Sequence, residues 1–238
     1  MDKSGIQINR NIIERSLMII KEYIKRNKKI ILYTLSIGVL IVIIIITGVV
    51  YYRSEENREI VEFEKIIEEY RNSYSNEKSI DESIEIQRFQ ETIDKLKKLI
   101  DSSYWGYVNE NGYYVIADLY ESQKMFRDAK EYFLKFVEES PSSFFAPFAL
   151  RKAGNVCEHL GELEEAFQIY QRLEREYSNS MIADGIYFDM GRIYQKKGNT
   201  IKAREYYNRL ISQYPFSLFT NKAKNRLFLL EYLTTKDK

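Results

Sequence analysis

Hydrophobic residues along this chain fall at spacings of three and four for most of its length, the period of a helix with one buried face. Ile13, Leu17, Ile20 and Ile24 share one such face. Ile60, Phe63, Ile67, Tyr70 and Tyr74 share another, and the pattern resumes with Ile86, Phe89, Ile93, Leu96 and Ile100. Between the first two sets the pattern changes kind: residues 30–51 include no charged side chain and are mostly Ile, Val and Leu. Beyond about Gly112 the amphipathic blocks themselves recur, at an offset of 37 residues. Ala129, Ala166 and Ala203 stand at that spacing, as do Phe133, Tyr170 and Tyr207. Pro141, Ser178 and Pro215 recur as well, and Gly154 and Gly161 map onto Gly191 and Gly198. A period in this range predicts stacked pairs of antiparallel helices, an all-α solenoid.

Punctuation residues place the elements. The third unit reads as a helix over 145–160 ending at Gly161, then a helix over 163–177. Glycine suits that end because it takes the left-handed cap conformation freely. The fourth unit reads as 182–197, ending at Gly198, then 200–214, stopped by Pro215, which cannot continue a helix. A last helix over 220–233 caps the array. Gly154 and Gly191 fall inside helices, where glycine costs about 1 kcal/mol relative to alanine, so two helices should cross closely there. Ala166 and Ala203 are expected opposite them, with Tyr170 and Tyr207 one turn on and Leu150 and Tyr187 filling the space from the other helix.

The apolar run of 30–51 has the length of a membrane span. At about 1.5 Å per residue, its 22 residues extend roughly 33 Å, against a hydrocarbon core of roughly 30 Å. A cleaved export signal is the rival reading, opposed by the length of the run and the lack of an Ala-x-Ala-like site. The twenty residues before the span carry seven basic residues (Arg10, Arg15, Lys21, Lys25, Arg26, Lys28, Lys29), and the twenty after it carry four. Positive charge stays on the cytoplasmic side, so the N-terminus is expected inside and the repeats outside. The basic stretch before the span is either an amphipathic helix on the inner leaflet or a topogenic tail. The pair Thr34 and Gly38 permits close helix contact, too weakly to argue a membrane dimer. The charged stretch after the span makes either a short coiled coil or a face packed on the first repeat; its two heptads favour packing. Residues 72–81 are polar and break the pattern.

The resulting layout is a cytoplasmic basic segment (1–29), a transmembrane helix (30–52) and a helical linker with a degenerate first repeat (53–110). Three repeats (111–217) and a capping helix with a tail (218–238) follow.

Composition narrows the function. With 36 basic and 35 acidic residues the chain lacks the clustered excess of Lys and Arg that marks nucleic-acid binding. One cysteine, Cys157, allows no internal disulfide. It and the single histidine, His159, are two residues apart and so point to different helix faces, giving no metal-ligand spacing. Cys157 reads as a small buried filler. The sequence carries no Gly-rich phosphate loop and no Gly-x-Ser-x-Gly elbow. No catalytic, cofactor or metal residue is proposed, no small-molecule substrate is expected, and an enzyme is not.

The units resemble tetratricopeptide repeats. The matching pieces are Ala153-Gly154, Gly161, Ala166 and Tyr170 in one unit. In the next they are Met190-Gly191, Tyr194, Gly198, Ala203, Tyr207 and Tyr214-Pro215. The unit from Tyr113 to Pro141 is a weaker match, with Ala117 at the usual Gly and Lys124 at the turn Gly, and it keeps Tyr120, Ala129 and Phe133. A half-unit over 89–104 carries Thr92 where the small Ala stands. Endings such as Glu176-Tyr177-Ser178-Asn179-Ser180 are similar to repeats of bacterial cell-envelope proteins, including outer-membrane assembly lipoproteins and the Tol–Pal coordinator. The layout of basic N-terminus, single span and exported repeats resembles the ancillary subunit of the Sec translocon.

The resemblance implies partner binding along the first helix of each unit. Tyr114, Asp118 and Glu121 lie one turn apart there, as do Arg151, Asn155 and Glu158, and Phe188, Arg192 and Gln195. Arg151, Asn155 and Arg192 are candidates to capture a peptide carboxylate, which suits Arg forks and Asn amides. On this reading, replacing Arg151 and Arg192 by Ala weakens partner binding without unfolding the domain. The expected partners are other proteins and the bilayer, in a bacterial inner membrane with a periplasmic array, as a homo- or hetero-oligomer. Two roles fit: an export-chaperone adaptor at the translocon, or a structural part of a membrane machine such as a spirochaetal flagellar collar.

Overall fold

A computed structural model describes residues 3–75, 82–103 and 106–236, and these are almost wholly helical, with no strand among them. The polar break expected at 72–81 falls mostly on residues outside this set, as do Tyr104 and the last two residues of the tail. The side chains of Ile13 and Tyr74 also lie outside the described residues. The chain divides into two compact units, Met1–Asn57 and Arg58–Lys238.

The first unit holds α1 (Lys3–Arg26) and the start of α2 (Lys28–Ser75). Leu17, Ile20 and Ile24 of α1 are exposed together, an apolar face with no protein cover. α2 contains a stretch long and apolar enough to cross a membrane, and none of its most apolar window is buried in the protein. The hydroxyls of Thr34 and Thr47 donate to the backbone carbonyls of Ile31 (2.9 Å) and Ile43 (2.8 Å). Their polarity is therefore satisfied within the helix. Gly38 has no neighbour within 4 Å of a built Cβ.

The second unit is an α-solenoid. It comprises the end of α2, then α3 (Glu82–Ser102), α4 (Gly106–Ser122), α5 (Phe126–Glu139), α6 (Ala146–Leu160) and α7 (Leu163–Glu176). α8 (Ala183–Lys196), α9 (Thr200–Gln213) and α10 (Leu218–Lys236) complete it. α4/α5, α6/α7 and α8/α9 are three helical pairs, and we call their members the A and B helices. The face of α2 that carries a heptad spacing packs inward: Phe63, Ile66 and Tyr70 are buried, and Ile60 and Ile67 are partly so. Tyr70 meets Phe89 of α3 (6.1 Å between rings), and Phe63 meets Tyr107 of α4 (6.2 Å). The degenerate α3 supplies Phe89, Ile93, Leu96 and Ile100 to the same core, with Thr92 buried at the alanine position.

The 37-residue period is written into the backbone as well as the side chains. Each A helix ends in one left-handed residue: Lys124 (φ 58°), Gly161 (φ 79°) and Gly198 (φ 73°). In all three the next residue's N–H bonds to the carbonyl five back: Met125 to Tyr120, Glu162 to Cys157 and Asn199 to Tyr194, each at 2.9 Å. These bonds satisfy carbonyls that the helix end would otherwise orphan. Lys124 is the non-glycine among them, in a conformation that β-carbons disfavour.

The glycines inside the A helices make room for tyrosines. A Cβ built on Gly154 would lie 2.4 Å from Cε1 of Tyr170, and one on Gly191 would lie 2.6 Å from Cε1 of Tyr207. The B-helix partner of each glycine is therefore an aromatic ring, where alanines 166 and 203 were expected. Both tyrosines are fully buried, and a buried aromatic of this size contributes about 1.5–3 kcal/mol. Gly112 plays a similar part against α3, where its Cβ would meet Ile100 at 2.4 Å.

Candidate functional site

The A helices present their polar residues as a connected ladder. Lys152 on α6 donates to Asp118 Oδ1 (2.6 Å) and Glu121 Oε2 (2.8 Å) on α4. Its ammonium also lies 5.3 Å from the Phe133 ring centre. On α8, Arg192 donates to both oxygens of Glu158 (2.6 and 3.1 Å) and to Asn155 Oδ1 (3.1 Å) on α6. Lys196 adds a second cation to Glu158 at 2.7 Å. Arg151 reaches the other way, from α6 to Asp189 Oδ2 on α8, at 2.7 Å. Arg192 lies 3.0 Å from the other oxygen of Asp189. The order of the A helices is thus fixed by ion pairs running between successive units.

Each rung is supported from the B helices. The Tyr170 hydroxyl, carried past Gly154, donates to Asn155 Oδ1 (2.8 Å) and Glu158 Oε1 (3.0 Å). The Tyr207 hydroxyl reaches Gln195 Oε1 at 3.0 Å. The Phe188 ring is buried between Tyr207 (5.6 Å) and Phe219 (5.7 Å). Tyr114 packs against Phe133, Phe136 and Phe145. Gly185 leaves a path for Arg151, whose guanidinium a Cβ there would meet at 2.7 Å. That guanidinium then lies 4.7 Å over the Phe219 ring.

The electrostatics follow from burial and pairing. Burial raises the Asp189 carboxyl above the usual range, and Arg151 and Arg192 only partly offset it. Burial alone would raise Glu158 too, but the hydrogen bonds from Arg192 and Lys196 outweigh it and hold its pKa low. Burial also raises Asp118, against its bond from Lys152. Desolvation pushes Tyr207 up to about 12.

All eight candidate residues of the first helices therefore lie in or directly beneath one connected surface. Asp118, Asn155, Glu158, Arg151, Arg192 and Gln195 are polar members of the ladder, while Tyr114 and Phe188 are its aromatic support. Arg151 and Arg192 do converge on a carboxylate, and it is the chain's own Asp189, 1% exposed. Replacing both by Ala strands that buried charge, at a cost of about 3–5 kcal/mol, so the change reports on stability before it reports on binding. Three participants carried no signal when read singly: Lys152, Asp189 and Lys196. Lys152 and Asp189 share one repeat position with opposite charge, and the offset of 37 could have exposed that pairing.

The cysteine lies elsewhere, on the buried side of α6. Cys157 Sγ, Glu162 and Glu165 bring three possible metal-ligand atoms within 4.8 Å of one another. Lys130 already donates to both carboxylates, at 2.7 and 2.9 Å, and so supplies the cation there. Burial, with Glu165 nearby, pushes the thiol up to about 12, so it stays protonated. His159 is on another face of the helix, stacked at 5.0 Å on Phe126.

Comparison with known proteins identifies the units. Residues 149–180 and 186–217 match one tetratricopeptide repeat family, and residues 111–143 match a second of the same description. These are tetratricopeptide repeats. Arrays of tetratricopeptide repeats hold other proteins on extended surfaces, so the chain is built as a protein-interaction scaffold. No curated protein matches the sequence. Among solved structures, a crystal structure of MamA matches at 20% identity over 66% of this chain and 86% of that one, with a TM-score of 0.49. A second MamA structure gives 20% identity, 62% and 76% coverage and a TM-score of 0.47. The MamA RS-1 ArsTM double mutant gives 14% identity, the same coverages and a TM-score of 0.47.

Proposed function

We propose that this protein is a membrane-anchored scaffold of a bacterial cell envelope. The apolar run of 30–51 holds it in the inner membrane, with the N-terminus cytoplasmic and the repeats periplasmic. The observation that carries the reading is the continuous polar ladder across α4, α6 and α8, presented by tetratricopeptide repeats. A partner docks along this ladder on Asp118, Arg151, Asn155, Glu158, Arg192 and Gln195, above Tyr114 and Phe188. Acidic groups of the partner compete with Asp189 and Glu158 for the arginines, which makes binding salt-sensitive. The bracketing of the span by basic residues on its N-terminal side supports the orientation.

Photocrosslinking in cells tests the surface. A photoreactive residue at Asp118 or Lys196 is expected to give protein adducts, and one at Glu205, exposed on the B helix α9, is not. Equal labelling from the three positions, or none from the ladder, overturns the docking surface. A broad set of exported clients with translocon subunits assigns an export adaptor. One or two abundant structural proteins assign a part of a membrane machine.

A further inference from the structure

A row of large apolar side chains stands exposed along one edge of the repeat array. Tyr107, Phe144, Met181 and Leu218 are separated by the same 37 residues that relate the units. Tyr107 and Leu218 sit in the first turns of α4 and α10, and Phe144 and Met181 sit just ahead of α6 and α8. Their exposures are 43, 62, 74 and 88%, rising along the array. Phe216, in the turn before Leu218, is fully exposed. Repeat-equivalent positions trace one line along a solenoid, so these residues form a row. Scattered exposed apolar residues are ordinary; a contiguous set of this size marks a contact surface.

Area and charge indicate what covers it. With about 150–250 Å² per large aromatic side chain, the row and Phe216 leave on the order of 700 Å² in water. A standard interface takes about 800 Å² from each partner. Phe144 widens the patch by meeting the rings of Phe145 and Phe148, each at 5.5 Å. The two ends of the row differ in charge. Exposed Glu110 follows Tyr107 by one turn, and exposed Glu138 and Glu139 close α5 ahead of Phe144. Exposed Lys222, Lys224 and Arg226 follow Leu218 on α10.

We propose that this edge is the interface of an antiparallel homodimer. A two-fold axis between Phe144 and Met181 sets Phe144 on the partner's Met181 and Tyr107 on the partner's Leu218. The same operation lays each acidic end on a basic end, twice, as an isologous interface requires. No residue of the row belongs to the ladder of the A helices, so variants of the row test the dimer apart from the docking reading.

Sedimentation equilibrium of the full chain in a nonionic detergent tests it. The expected result is a reversible dimer whose dissociation constant rises about 100-fold with Met181→Asp. Ile201→Asp, at a side chain 82% exposed off the row, leaves it unchanged. Phe144→Asp repeats the test at a second exposed site, and an unaltered far-ultraviolet helical signal certifies each fold. Copies bearing Phe144→Cys mixed with copies bearing Met181→Cys are expected to form a mixed disulfide faster than either alone; the buried Cys157 stays in place. A monomer at every concentration overturns the proposal. So does a dimer indifferent to both Asp variants, which places association in the apolar helix. So does protection of the cysteines by lipid vesicles in a monomeric protein, which assigns the row to a lipid surface.

Discussion

A tyrosine ring lying against a glycine sets the spacing inside two of the units. Gly154 and Gly191 each lie within contact distance of a ring that occupies the volume a β-carbon would need. Gly154→Ala gains helix propensity of about 1 kcal/mol and overpacks by about 1–3 kcal/mol or more. The ring is fully buried and its hydroxyl is held by two acceptors, so it has no room to yield. We expect a net loss of about 1–2 kcal/mol, read as a lower urea midpoint of the solubilised full chain. Combining it with Tyr170→Leu should cost less than the two changes summed, because the clash is removed with the ring. A midpoint unchanged or raised by Gly154→Ala alone would falsify the spacing role. The sequence exposes the close crossing, because a mid-helix glycine recurring at the repeat offset has a cost that only packing explains. It does not expose the partner. An offset shows which residues are equivalent; which of them touch depends on side-chain direction, and there tyrosine displaced alanine.

Between elements, ion pairs tie one A helix to the next, and Glu158 is their hub. Its side chain is 5% exposed and is met by Arg192, Lys196 and the Tyr170 hydroxyl. Because its folded pKa lies below the ordinary 4.5, the native state holds fewer protons than the unfolded chain at mildly acidic pH. Glu158 therefore contributes stability that is fully present above about pH 4.5 and is lost as pH falls through the lowered folded value. Asp189 works with the opposite sign: its pKa is raised above 3.8, so its contribution favours the fold as pH falls. Glu158→Gln should lower stability at pH 7 by about 1–3 kcal/mol and flatten the acid side of the profile. Urea unfolding at pH 7 and pH 3 measures both. An acid loss as steep as in the unaltered chain would show that other carboxylates carry it. The ladder was half legible. The pattern picked out Asn155, Glu158 and Arg192 as neighbours on their helices, and their pairing across about 34 residues leaves no local trace. The boundaries of α6 to α9 were legible to a residue, because Gly161, Gly198 and Pro215 mark them chemically, whereas α10 runs beyond the expected 220–233 at both ends. α2 runs to Ser75 through the change from apolar to charged residues near Arg53, since hydropathy changes there and helix propensity does not.

At the scale of the molecule, the proposed topology assigns opposite sides of a membrane to the two ends of the chain. A cysteine introduced at Glu205, exposed on α9 and outside both the ladder and the apolar row, should react with a membrane-impermeant maleimide in intact cells whose outer barrier has been permeabilised. A cysteine introduced at Asn9 should react only after the inner membrane is lysed. Reaction of both before lysis, or of Asn9 alone, rejects the orientation. Cys157 is buried and supplies little background. The fold class was legible at this scale because a 37-residue period over 111–217 admits few other architectures. Function was less so, since solenoids share a surface shape and differ in what they hold.

The opposite charges of Lys152 and Asp189 at one repeat position make the units non-interchangeable. If the segments 149–180 and 186–217 traded places, Asp189 would stand where Lys152 faces Asp118 and Glu121. Three carboxylates would crowd together where Lys152 now supplies an ammonium between two, and Arg151 would lose the acid it reaches for. The array therefore carries its own sense of order: it reads from one end to the other like a word, and its syllables cannot be shuffled.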